Sequence, residues 1–441
     1  MQIVGLRVEA FKSLYNFECR LDHFSVITGP NGSGKSNFVD ALSFLGDVYR
    51  HGLEFAVSHS GGFENIAHRR TRRAKKAIRF SIEVSVSGED VDRLLNDYQM
   101  HVEGREHMTT GRPGVIFKHD FSIKTATQKL LDDFEIAHES VLVLDQRGEV
   151  IFRIDRVENQ VHSLRGTSGA FPEDEINSLI RPFGDMKFEE SMVMRGMTPT
   201  NLMVSGLYFA NVIWLVTSQL SRITVFQLSP HLSRSSGVAT PNAALSTHGE
   251  NLPGAADNLR RRDEDAWLQV NSAMRAILPH LTEIGIVQTE DRRLALQFKE
   301  RGVGRAWNAN EVSDGTIQTV ALLVALFDSR NSILIIEEPE NAVHPWILRQ
   351  YLDLCLSMTD RQVLLTTHSP VLLNHVAAPS VSLIWMNEGR SYLSRLIDLS
   401  PGVQQQIVAG ELSLFDVYDS GVLPQAIPQG FRDDDWEELL E

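Results

Sequence analysis

The sequence predicts an α/β fold, with a parallel core sheet, an antiparallel β lobe and a mixed, mainly helical insert. Three observations carry this. The octapeptide Gly29-Pro30-Asn31-Gly32-Ser33-Gly34-Lys35-Ser36 follows the apolar, β-branched stretch Phe24–Thr28. It precedes a helical pattern that sets Phe38, Ala41, Leu42 and Leu45 on one face. Two short apolar runs, residues 333–336 and 363–365, read as strands buried on both faces, as parallel sheets require. Strict alternation in Ile78–Val86 reads as a strand with one buried face. The turn Asp145-Gln146-Arg147-Gly148, between apolar stretches 141–144 and 149–154, reads as a hairpin.

The elements divide the chain into four parts: 1–162 and 301–400 as two halves of one head, 163–300 as the insert, and 401–441 as a tail. The insert carries a buried helix near 208–220, a loop-rich stretch at 229–253, a helix over 263–277 and a hairpin around Glu290-Asp291. A hairpin over 381–396 closes the head. A hydrophobic content of 42% with 22% charged residues is that of a globular protein with a full core. Acidic residues outnumber basic ones, 57 to 42, which disfavours wholesale wrapping of nucleic acid and still allows a local basic patch. The two cysteines, Cys19 and Cys355, lie far apart without metal-ligand spacing, so a reduced, cytoplasmic setting is expected. The N-terminus reads as a strand, not a signal peptide. The most apolar helical stretch, 207–215, is shorter than the ~20 residues a bilayer span needs, so no membrane association is expected.

The glycine-rich octapeptide is a phosphate-binding loop. Its glycines let successive backbone N–H groups turn inward around phosphates, and the helix behind it presents a positive N-terminal end. Gly29, Pro30, Asn31, Gly32, Ser33, Gly34, Lys35, Ser36 and Asn37 are the candidate nucleotide contacts. Lys35 would reach the β- and γ-phosphates, and the Ser36 hydroxyl would sit on Mg²⁺. The implied ligands are a nucleoside triphosphate and Mg²⁺. Glu337 and Glu338 emerge at the C-terminal end of the apolar strand 333–336, the sheet edge where α/β ligands sit. Glu337 is the candidate metal contact, through water, and Glu338 the candidate general base. Lys35, Glu338 and His368 are the expected catalytic residues. His368 follows the strand 362–367 and falls on the same edge, which favours a γ-phosphate contact over a merely polar strand end. Ser313-Asp314-Gly315 begins the helix over 317–327, either as a plain N-cap or as a second anion-binding helix end.

These motifs, in this order, resemble the ATP-binding-cassette type of ATPase in the RecF, SMC and OLD-like group. The resemblance covers about residues 1–86 and 311–390. Gly29–Ser36 match Walker A, Ser313-Asp314-Gly315 the signature, and residues 333–338 the Walker B strand with its catalytic glutamate. Glu340-Asn341-Ala342-Val343-His344-Pro345 resembles the D-loop in its OLD-like form, and Thr367-His368-Ser369-Pro370 the switch histidine. Glu337 stands where aspartate is usual, the usual switch glutamine is missing, and Ser60–Asn65 sit near its place. The long SMC coiled coil is missing as well. The resemblance implies an ABC-type P-loop ATPase head that dimerises around two ATP molecules, Walker A of one subunit facing the signature of the other.

Six basic residues in nine, Arg69, Arg70, Arg72, Arg73, Lys75 and Lys76, stand out in this acidic chain. They read either as a solvated or intersubunit salt-bridging surface, or as a DNA or RNA backbone contact. The acidic stretch 433–438 reads as a solvated terminus or a docking peptide. Only 73 residues follow His368 (441 − 368), much of them used by the hairpin, and no acidic cluster for a fused nuclease stands out. The expected function is an ATPase that controls a separate effector protein, as the regulatory subunit of an anti-phage defence system. A RecF-like DNA repair ATPase and a nucleotide-gated scaffold with little turnover are the competing readings.

Overall fold

A computed structural model describes residues 1–68, 76–98, 109–125, 134–157, 160–180, 197–206, 211–399, 413–419 and 423–427. Its strands, in chain order, are β1 (Gln2–Glu9), β2 (Phe17–Arg20), β3 (Phe24–Thr28), β4 (Ile78–Val86), β5 (Val115–Thr125), β6 (Phe134–Asp145), β7 (Val150–Val157) and β8 (Gln160–Arg165). They continue with β9 (Ile223–Phe226), β10 (Leu281–Gln288), β11 (Leu294–Glu300), β12 (Trp307–Asn308), β13 (Ile333–Glu337), β14 (Gln362–Thr366), β15 (Val381–Asn387) and β16 (Arg390–Arg395).

The core sheet runs in the order β16-β15-β3-β14-β13-β9. Strands β15, β3, β14, β13 and β9 are parallel, and β16 turns back antiparallel. β3 and β14 are buried at every residue, and β13 at all but Glu337. That explains why their sequences read as unbroken apolar runs. Along β13, Ile333 and Ile335 join one hydrophobic core while Leu334 and Ile336 join the other. The sheet therefore lies between two cores, as period-2 side-chain alternation demands.

One core is shared with the antiparallel lobe and with the helix Lys35–His51, which buries Phe38, Ala41, Leu42 and Leu45 as the spacing predicts. The lobe is one antiparallel sheet, β2-β1-β4-β5-β6-β7-β8. In β4 the even-numbered residues from Ile78 to Val86 are at most 1% exposed. The other core holds the helices Leu252–Arg262, Glu264–Ile277, Asp314–Phe327 and Pro345–Ser357. Residues 317–327 are buried without exception, polar Gln318 and Thr319 included, so that helix is a central one.

Two features of the segment 163–300 differ from the sequence reading. Residues 223–226 form β9 and extend the core sheet beside β13, with Ile223 opposite Ile333. The segment is thus woven into the head, through a strand of four residues too short to show as a pattern. The loop-rich stretch ends in a helix, Leu252–Arg262, whose Pro253 sits in the first turn where its missing N–H costs nothing. The apolar helix starts at Asn211, and residues 207–210 lie outside the described set.

Gln362 ties the lobe to the core sheet. Its Oε1 accepts from the Ile3 N–H at 3.0 Å, and its Nε2 donates to the carbonyls of Ile3 at 2.8 Å and Asp22 at 2.9 Å. The side chain is 2% exposed. Replacing it with an apolar residue strands all three backbone groups. Gln362→Leu is expected to lower the unfolding free energy by roughly 3 kcal/mol in urea denaturation.

Candidate nucleotide site

Parallel pairing builds the site at one sheet edge. Ile27 of β3 faces Thr366 of β14, and Thr366 faces Glu337 of β13. The pairing continues past the strand ends. Thr367 N–H donates to the Ile27 carbonyl at 3.0 Å, and Glu338 N–H to the Thr366 carbonyl at 2.9 Å. Strands ~4.8 Å apart thus place the loop after β3 about 10 Å from the carboxylates after β13, with the turn after β14 between them.

The loop itself is a cradle that only glycine permits. Gly34 has φ +103°, and a Cβ there would lie 2.0 Å from Ser391 Oγ. A Cβ on Gly29 would lie 2.0 Å from the Ile384 carbonyl oxygen. Lys35 Nζ donates to the carbonyls of Gly29 at 2.7 Å and Pro30 at 3.1 Å, folding the side chain back over the loop. The Ser33 hydroxyl is buried without a hydrogen-bond partner. An orphaned donor, a backbone with three positive-φ glycines and an ammonium resting on backbone oxygens together fit a triphosphate.

Electrostatics draw the candidate residues into one cluster. Burial pushes the Lys35 ammonium down from 10.5 to about 8, against the opposing pull of Glu338 and Glu337. Burial pushes the Glu337 carboxyl up, helped by Asp40 and Glu338 and opposed by a hydrogen bond from Ser36 and by Lys35. The His368 imidazole is pushed down by burial and by Lys35, with Glu338 acting the other way. Lys35, Ser36, Glu337, Glu338 and His368 therefore lie close enough at this sheet edge to shift one another's charge. The Ser36–Glu337 pairing presents two oxygen donors suited to a hard divalent cation, Mg²⁺.

Glu338 occupies left-handed backbone space, φ +46°, which a β-carbon disfavours by roughly 1–2 kcal/mol. The Asn341 N–H holds its carbonyl at 3.1 Å, and Asn341 Nδ2 holds its Oε2 at 3.1 Å. Glu340 braces the neighbouring turn: its Oε1 accepts from Thr367 Oγ1 at 2.6 Å and from the His368 N–H at 3.0 Å. Burial pushes the Glu340 carboxyl up.

Residues 24–182 and 218–374 match the family described as "AAA domain, putative AbiEii toxin, Type IV TA system". The chain belongs to this AAA-domain family. Among solved structures, an SMC head bound to the C-winged helix domain of ScpA is similar at TM-score 0.48 and 13% identity, over 89% of this chain and 98% of that one. A Pyrococcus furiosus Smc head with an extended coiled coil, bound to the C-terminal domain of ScpA, gives 0.41 and 14%, over 92% and 98%. The SMC head of Thermotoga maritima gives 0.36 and 12%, over 90% and 99%. No curated protein is similar to the chain in sequence.

In this AAA domain the Ser313-Asp314-Gly315 segment caps its helix. Ser313 Oγ accepts from the Thr316 N–H at 3.2 Å, and Asp314 pairs with Arg234 Nη2 at 2.5 Å. A Cβ on Gly315 would lie 2.8 Å from the Ala342 carbonyl oxygen, so the segment packs on the loop after Glu340. Among the described residues none of its hydrogen bonds or ion pairs reaches Gly29–Ser36, and Ser313 and Asp314 are exposed. Asn37 Nδ2 donates to Ser13 Oγ at 2.7 Å, beside Gly34 and Ser391 at the foot of the loop. Of the basic cluster, Arg69, Arg70, Arg72, Arg73 and Lys75 lie outside the described residues, as does the acidic stretch 433–438. Lys76 is described, and it pairs with Glu9 and stacks 4.5 Å over the Tyr15 ring. Among the described residues no helix is long and apolar enough to cross a membrane.

Sequence reasoning missed the loop's support. Ser391, fully buried, donates to the Ser33 carbonyl at 2.8 Å and lies 2.7 Å from Ser13 Oγ, locking the loop to the hairpin β15–β16. It also missed an open cavity of about 700 Å³ beside the loop, lined by Lys12, Ser13, Asn37, Asn65, His68 and Gly389. The lining comes from four separate stretches, so no local pattern announces it. Gly34→Ala is expected to abolish nucleotide binding, read by isothermal titration, while a far-UV spectrum stays near wild type.

Only the protonated Lys35 attracts a polyanion. With a free-protein value of about 8, nucleotide affinity is expected to fall about tenfold between pH 7 and 9. Lys35→Arg, always charged, should keep a flat profile. Stability runs the other way: between pH 8 and 10.5 the unfolded chain binds more protons at this group, so its contribution rises with pH.

Proposed function

We propose that the chain binds and hydrolyses ATP with Mg²⁺ at this edge and uses the cycle to control a separate effector protein. The observation that carries the reading is the parallel register that releases the glycine-rich loop, the Thr367-His368 turn and the Glu337-Glu338 pair at one edge of the sheet. Loop N–H groups and Lys35 bind and orient the β- and γ-phosphates. Glu338 accepts the proton of the attacking water, and its braced, left-handed backbone fixes where the carboxylate points. His368 donates to the γ-phosphate. Ser36 and Glu337 would hold the Mg²⁺, which neutralises charge on the phosphate oxygens when bound. The cavity bounded by Lys12, Asn65 and His68 has room for the nucleoside, and His68 Nε2 is buried there without a hydrogen-bond partner.

The exposed helix start at Ser313 supports ATP-dependent homodimer contact. A 14-residue helix presents free N–H groups and a positive dipole end there, suited to the γ-phosphate held by a second copy. The family description names a putative toxin of a type IV TA system, which supports an output that involves a second protein. We place that pairing in phage defence on the motif resemblance.

The test is turnover in Glu338→Gln. This variant should bind ATP like wild type, hydrolyse it at least ~100-fold more slowly, and accumulate as a dimer by light scattering. Lys35→Ala should show neither binding nor dimer. Full turnover in Glu338→Gln removes Glu338 from the base role.

A further inference from the structure

The tail reaches back to the switch histidine. Residues Leu414–Asp419 form a short helix with reciprocal end contacts: Ser413 Oγ accepts from the Asp416 N–H at 3.1 Å, and Asp416 Oδ2 from the Ser413 N–H at 3.0 Å. Leu414 and Val417 are 5% and 0% exposed, in the core that holds Leu372 and Leu373. Asn374 Oδ1 accepts from the Phe415 N–H at 2.9 Å. The tail helix is therefore seated on the helix Pro370–His375, which begins two residues after His368. Leu423 and Ala426 are buried further along, and Gln425 and Ile427 face Asn31 and Gly32 across a small cavity.

This seating brings the Tyr418 hydroxyl to 3.4 Å from His368 Nδ1. The distance is long for such a bond, as catalytic hydrogen bonds often are before ligand arrives. His368 Nε2 has no hydrogen-bond partner among the described residues. The Thr28 hydroxyl, at the end of the strand that feeds the loop, is buried without a regular partner and faces the same Tyr418 oxygen. Tyr418 thus stands between the strand end and the histidine, on a segment outside the ATPase motifs.

We propose that Tyr418 is a positioning residue for His368: its hydroxyl donates to Nδ1, fixes the imidazole as the Nε2–H tautomer, and so presents a donor to the γ-phosphate. The alternative tautomer would donate from Nδ1 to Tyr418 and turn an Nε2 lone pair toward anionic oxygens, which repel it. The hydrogen bond on one ring nitrogen decides what the other can do. Burial keeps His368 below its usual range, so near neutral pH the tautomer matters more than the charge. Burial also keeps the Tyr418 phenol above its usual value, hence protonated and able to donate. The inference rests on the ATPase reading for the phosphate contact, but not for the tautomer.

Tyr418→Phe keeps the ring and its packing and removes only the hydroxyl. Its kcat for ATP should fall about tenfold with KM within about twofold of wild type. In a His368→Ala background the same change should cost nothing further. Nitrogen-15 spectra of histidine-labelled protein should show one imidazole, absent in His368→Ala, as Nε2–H in wild type and as a tautomer mixture in Tyr418→Phe. An unchanged kcat with an unchanged imidazole signature, or an equal loss in the His368→Ala background, overturns the assignment. If wild type hydrolyses no ATP while the imidazole still shifts in Tyr418→Phe, the ATPase reading fails and the Tyr418–His368 pairing stands.

Discussion

Parallel register between β3, β14 and β13 sets Ile27 opposite Thr366 and Thr366 opposite Glu337. Each strand then releases its chain at the same edge. β3 releases the glycine-rich loop, β14 the Thr367-His368 turn, and β13 the Glu337-Glu338 pair. A shift by one residue in either ladder would send the core-facing side chains of β13 to the opposite core and the carboxylates with them. The register is held from below by two hydrophobic cores and from the lobe by Gln362. Stability and function are joined here because the apolar side chains that bury the sheet also aim its polar ends.

The groups at that edge are held away from their preferred charge. Burial disfavours the ammonium of Lys35, the carboxylates of Glu337 and Glu340, and the imidazolium of His368 at once. Cation and anions partly relieve one another, but Lys35 settles on backbone carbonyls and Glu340 Oε2 has no partner. A polyanion that brings its own divalent cation would restore charge complementarity to every member of the set. On the proposed ATPase reading this is preorganisation in the electrostatic sense: the cost of assembling the charges is met by folding, before ligand arrives. The left-handed backbone at Glu338 belongs to the same account, since strain of that kind is retained where surrounding hydrogen bonds over-determine it.

Much of this edge was legible in the sequence because parallel strands buried on both faces leave unbroken apolar runs. The runs before Gly29, Glu337 and Thr367 each ended in a polar group on a predictable side. β4 and the β6–β7 hairpin were equally plain, through alternation and an Asp-Gln-Arg-Gly turn. What stayed hidden had either too few residues or no local signal. β9 spans four residues, and its place beside β13 is a tertiary fact. Ser391 reaches Ser33 from 358 positions away, and Tyr418 reaches His368 across 50, by folding alone. Ser313 shows the opposite case: its capping role is local and readable, and the contacts within one chain show that role alone.

The most direct measurement is a crystal structure of the full chain with Mg²⁺ and a non-hydrolysable ATP analogue. The account predicts triphosphate density inside residues 29–36, with Lys35 turned from the Gly29 and Pro30 carbonyls onto the β- and γ-phosphates and Glu338 beside the terminal phosphorus. Saturating analogue with Lys35 still on those carbonyls, or nucleotide bound away from the β3–β14–β13 edge, would contradict it.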